Sequence, residues 1–422
     1  SPRWKYVNTY QPIKDNFNDR NFKVISRGIQ YLANLRKLFF PSSKLQLKKS
    51  CFSHPKIQQF IGTVQIPNNV TKLWPSLQKL SLNLLHSGEN SQTYFFRAIS
   101  DLNKLQDLDI QMTNCTNKGE FSTTLCDLIS KDHLQSLSLS LSNCIFTDLN
   151  YNNLFKTIAA STSLEKLRVH FDRVSLENGP LNEKDFITSL KEYQIPRKVK
   201  KFGLCLLPCY DPKLFHKTLS DLLSSFCNEL TDLELGFSPE TTPPGSSDNG
   251  SSKQQTQTFE TLILLKNLER FSFMENVSLG CTNEISYFLN RLSDLSKLRE
   301  LELKVEGHNL PLTDAMDLRE LKNLKDSIQK SASLQKLKIF SSKVPSIVVG
   351  IMLELAMNAK EIDVLFARDD YALIDQRVAM FMYQLFRKMA KLEVLKMKAS
   401  FILCPYELLW TLPVKYKDIR SY

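Results

Sequence analysis

Apolar and polar positions follow one short pattern through most of the chain, LxxLxL, with leucine or a close substitute at the first, fourth and sixth places. Copies begin at Leu77, Leu105, Leu134, Leu164, Val199, Leu230, Leu268, Leu298, Leu334 and Leu392. An earlier copy stands at Leu35, Leu38 and Phe40, and a degenerate one built on Ile362 and Val364 precedes the last. The alternation predicts a strand whose leucines share one side while the intervening residues share the other. From Leu77 to Leu334 the steps run between 28 and 38 residues, the period of a solenoid in which each copy is one structural unit.

Helical spacing fills the stretches between strands. Tyr94, Phe95, Ala98, Ile99 and Leu102 precede one strand, and Leu154, Phe155, Ile158 and Ala159 another. Asp148, Asp211, Thr282 and Asp314 stand where a side-chain oxygen caps free backbone N–H groups at a helix start. Each unit is therefore read as one strand and one helix. Three segments break the period: the Pro-, Ser- and Asn-rich residues 237–258, expected to be a flexible insertion, and residues 173–198 and 305–320, which lengthen two further units. Aromatic residues gather near both ends, as terminal caps of a solenoid require.

A tenfold LxxLxL series resembles the leucine-rich repeat proteins, in particular their long-repeat, ribonuclease-inhibitor-like subfamily, over roughly residues 30–400. The Asn-, Lys- and Ser-rich, glycine-poor style is similar to that of divergent protist members. The resemblance implies an α/β horseshoe of about 11–12 repeats, with a curved parallel sheet on its concave face and helices on its convex face. Residues 1–34 would form an N-terminal segment and cap, 35–398 the solenoid, and 399–422 a C-terminal cap. The Asn or Cys that usually closes the signature is displaced: Asn114 with Cys115 and Asn143 with Cys144 come one or two residues late, so irregular turns are expected after those strands.

Composition narrows the function. The 66 leucines are what a multi-copy ladder consumes, and with only 12 glycines the chain is poor in material for phosphate-cradling loops. Its six histidines show no metal-ligand spacing, and no nucleophile turn or nucleotide fingerprint is present. We therefore expect neither an enzyme nor a bound cofactor or metal. Nine scattered cysteines without a CxxC pair point to a reducing, intracellular compartment, and Cys205 and Cys209 read as buried packing. No apolar run is long enough to span a membrane. The start at Ser1 and not at Met leads us to expect a processed targeting segment or a further domain upstream.

The outward strand positions carry the candidate chemistry. Acidic pairs stand at Asp107 and Asp109, Asp232 and Glu234, and Glu300 and Glu302; basic groups stand at Lys166, Arg168 and His170, at Lys336 and Lys338, and at Lys396 and Lys398. These signs alternate in blocks, whereas phosphate charge is continuous, so the face suits a protein partner of complementary pattern. The leading expectation is a non-enzymatic scaffold or structural subunit of a larger assembly, docking through its concave sheet or rim loops. A net charge of +11 and the basic cluster Lys191, Arg197, Lys198, Lys200 and Lys201, with a smaller one at Lys44, Lys48 and Lys49, keep an RNA-associated role as the alternative. A third reading, implied by the resemblance, is a substrate receptor of the ubiquitin-ligase type or a GTPase regulator.

Overall fold

One backbone device recurs at the start of the strands. The Gln78 carbonyl accepts the N–H groups of both Gln106 and Asp107, at 2.8 and 2.9 Å. The Gln106 carbonyl does the same for Gln135 and Ser136, and that of Gln135 for Glu165 and Lys166. Further along, the Glu269, Arg299 and Gln335 carbonyls each take two N–H groups from the next strand's entry in the same way. Each device sits one residue after the first leucine of its copy, so the spacing that gives the sequence its period also fixes the strand register.

This geometry comes from a computed structural model, which describes residues 9–10, 34–46, 56–65, 74–85, 99, 101–117, 121–147, 149–177, 179–180, 183–193, 195, 198–209, 212–225, 229–239, 260–277, 292, 294–307, 331–342, 353–366, 373–374, 384–398, 401–402 and 418–419. The chain is α/β, and its strands pair mainly in parallel. It divides into two units, Ser1–Leu207 and Pro208–Tyr422. The expected cap at Asp148, those at Asp211, Thr282 and Asp314, the helix around Tyr94, most of the 237–258 insertion and both terminal caps lie largely outside the described residues.

Unit 1 carries β1 (Thr9–Tyr10), β2 (Lys37–Gln46), β3 (Gln59–Gln65), β4 (Lys79–Leu85), β5 (Asp107–Thr113), β6 (Thr116–Asn117), β7 (Ser136–Ser142), β8 (Ile145–Phe146), β9 (Lys166–Asp172), β10 (Ser175–Leu176), β11 (Gly179–Pro180) and β12 (Lys201–Cys209). Strands β1, β2, β3, β4, β5, β7, β9 and β12 form one parallel sheet in that order, and β11, β10, β8 and β6 a second small one. Leu82, Ile110, Leu139, Val169 and Leu204 face one another across successive strands and are all buried. Each such side chain contributes about 2 kcal/mol of hydrophobic free energy. Strand β3 joins the sheet between β2 and β4 although the LxxLxL pattern passes over it. Ile57 and Phe60 hold its first two core places, but Gly62 stands at the third, opposite Leu82.

Helices cover the leucine side of this sheet. α1 (Phe121–Ser130), α2 (Tyr151–Ala160) and α3 (Glu183–Glu192) pack on one another in sequence. Phe171 of β9 meets Tyr151 of α2 and Phe186 of α3, with ring centroids 6.1 and 5.5 Å apart. The cap of α2 is Asn150, whose side-chain oxygen accepts the Asn153 N–H at 3.0 Å. After β5, β7 and β9 the chain turns through a left-handed residue, Asn114, Asn143 and Arg173 respectively, with φ of 53°, 49° and 50°. Asparagine tolerates that conformation, and the cysteine after it tucks inward. The Cys115 thiol lies 3.4 Å from the Leu84 carbonyl, and that of Cys144 lies 3.4 Å from the Met112 carbonyl. The displaced Asn and Cys residues of the sequence are therefore a turn device, repeated in altered form by Arg173 and Val174. Asp132 follows α1, also left-handed, and its carboxylate accepts the Thr162 and Ser163 N–H groups at 2.8 and 3.0 Å. The Thr162 hydroxyl is the largest cause that holds this carboxyl below its ordinary range.

Unit 2 carries α4 (Pro212–Ser225), β13 (Asp232–Pro239), β14 (Arg270–Val277), β15 (Glu300–Gly307), β16 (Lys336–Ser342), β17 (Glu361–Phe366), β18 (Leu373–Ile374), β19 (Val394–Lys398), β20 (Phe401–Ile402) and β21 (Asp418–Ile419). Strands β13, β14, β15, β16, β17, β19 and β21 form a parallel sheet in that order. Leu235, Phe273, Leu303, Ile339 and Val364 make its buried row, so the degenerate copy at Ile362 and Val364 is a full member. Among the described residues no helix is long and apolar enough to cross a membrane.

Candidate functional site

Alternation sends the charged candidates to the sheet side opposite the leucines, and register then decides which of them meet. In unit 1 the first outward row reads Lys79, Asp107, Ser136, Lys166 and Lys201, the second Ser81, Asp109, Ser138, Arg168 and Gly203, and the third Asn83, Gln111, Ser140, His170 and Cys205. The acids of β5 are engaged locally. Lys79 lies 3.9 Å from Asp107, and the Ser81 hydroxyl donates to Asp109 at 2.9 Å. Lys166, Arg168 and His170 stand beside a column of serines on β7, and Lys166 is directly opposite Lys201 on β12.

Unit 2 shows a tighter arrangement. Arg270 bridges Asp232 at 3.6 Å and Glu300 at 3.5 Å, linking three adjacent strands. Glu302 is shared by Lys304 at 3.4 Å and Lys338 at 3.8 Å. Glu361 is shared by Lys336 at 2.8 Å and Lys396 at 3.3 Å, one lysine on each carboxylate oxygen. The Lys336 ammonium first, and that of Lys396 after it, hold the Glu361 carboxyl below its ordinary range against the opposing effect of desolvation. The blocks of opposite sign in the sequence are thus neighbours in space, and they compensate one another across strands about 4.8 Å apart. Lys398 lies by register beside Leu365.

Glu361 is the member that sequence reading passed over. Its signal was present, since parity places it outward in the degenerate copy on Ile362 and Val364. Conversely, the expected basic cluster is spread over different elements. Lys191 sits in the last turn of α3, Lys198 donates to the Thr162 carbonyl at 3.0 Å, Lys200 lies just before β12, and Lys201 opens β12 on the outward row. Arg197, Lys48 and Lys49 lie outside the described residues, and of Lys44 only its place in β2 is described.

Other candidate chemistry is built into packing. Cys115, Cys144 and Cys205 are buried free thiols, and Cys126 is a half-buried one. The neighbouring Cys115 thiol and burial push the Cys144 thiol up, away from the reactive thiolate. His216 of α4 is buried, and desolvation lowers its pKa to about 4, which keeps the ring neutral. A groove of about 680 Å³ runs between α1, α2 and α3, lined by Ser122, Cys126, Asn150, Lys156, Asp185 and Ser189 among others. Among the described residues that line it there is no histidine to serve as base to the Cys126 thiol. Among the described residues no group of three or more His, Cys, Asp or Glu is placed to hold a metal ion.

No protein-family model matches the chain, and no curated protein is significantly similar to it.

Proposed function

We propose that the chain is a leucine-rich-repeat docking scaffold, a non-enzymatic subunit that holds a protein partner on the concave, outward face of its sheet within a larger assembly. One observation carries this reading: several outward charges of unit 2 are held in ion pairs, most of them between strands, with Glu302 and Glu361 each shared between two lysines. A surface whose charged heads are already oriented loses little side-chain entropy when a partner lands on it. Its fixed pattern of sign selects partners by complementarity and rejects those that bring like charges together. The outward face of unit 1 carries instead a serine column on β7 beside Lys166 and Arg168 on β9.

The test is charge reversal in each unit separately. Chains carrying Lys166→Glu with Arg168→Glu, or Lys338→Glu with Lys396→Glu, are tagged and recovered from the native source beside wild type. At least one pair of reversals is expected to cut recovery of the principal co-purifying chain by tenfold or more while circular dichroism stays unchanged. Full recovery with both pairs reversed excludes the sheet face.

A further inference from the structure

We draw no further inference here: the strongest candidate, the polar groove of about 680 Å³ between α1, α2 and α3 at the N-terminus of α2, carries nothing because no second observation among the described residues points to a ligand there, the buried Tyr151 hydroxyl that lacks a partner belonging to a ring packed on Phe171 and Phe186.

Discussion

Replacing Glu361 by Gln removes the charge on which two lysines converge and leaves shape almost unchanged. Its oxygens lie 2.8 Å from the Lys336 ammonium and 3.3 Å from that of Lys396, and the carboxylate is 24% exposed, against 28% and 45% for the lysines. At about 3 Å two unit charges attract by about 1.4 kcal/mol even at the dielectric of water. Holding long side chains in place returns much of this, so partly exposed pairs settle at about 0.2–1 kcal/mol each. Two such pairs give an expected loss of about 0.4–2 kcal/mol, read as a lower urea midpoint at pH 7 and low salt. Raising salt to about 1 M shortens the screening length to about 3 Å and should reduce the loss to less than half. Because the folded carboxyl titrates below its ordinary value, the unfolded chain takes up the proton first as pH falls. The contribution is therefore complete above the unfolded pKa, about 4.3, and is lost as pH falls through the folded value. Wild type and variant should draw together as pH falls below about 4.3. An unchanged midpoint at low salt, or a loss of the same size at pH 3 as at pH 7, refutes the reasoning. A double-mutant cycle with Lys336→Met should return a coupling of at least about 0.5 kcal/mol.

Three further outcomes test the fold itself. Arg173→Gly relieves a left-handed arginine at φ 50° and should raise the unfolding midpoint by the equivalent of about 0.5–1 kcal/mol, whereas Asn143→Ala, which forces alanine into the same conformation, should lower it. Tyr151 buries a hydroxyl with no hydrogen-bond partner among the described residues, so Tyr151→Phe should keep or raise stability in the same assay. His216 is held neutral by burial down to a pKa of about 4, while in the unfolded chain it gains its proton near 6.5. The unfolded state thus binds the proton first, and up to about 3 kcal/mol of stability should be lost between pH 6.5 and 4. His216→Leu should flatten that segment of the stability profile.

The leucine side of the sheet was legible in the sequence because period-two alternation and a roughly constant step carry strand, face and order together. β3 escaped because Gly62 replaces a leucine at the place where the pattern is read. The outward charges were also legible as a set, but not their partners. Arg270 meets Asp232 and Glu300 only once residues about thirty places apart are put in register, and nothing local announces that pairing. In unit 2, blocks of opposite sign that stand apart in the sequence are neighbours across strands. Asp132 was missed for a related reason: a turn aspartate looks like any other until its left-handed backbone aims it at Thr162 and Ser163. The Asn and Cys displaced after β5 and β7 did signal irregular turns, and the turns lie there.

The most direct test of the docking account is lysine footprinting on the native assembly. Lys338 and Lys396 on the outward face are 43% and 45% exposed, and Lys156 of α2 is exposed on the helix side. Acetylation of the isolated chain and of the partner-bound chain, read by mass spectrometry, should show Lys338 and Lys396 protected at least fivefold by the partner and Lys156 equally reactive in both. Protection of Lys156 with Lys338 and Lys396 unchanged would place the partner on the helices and contradict the account.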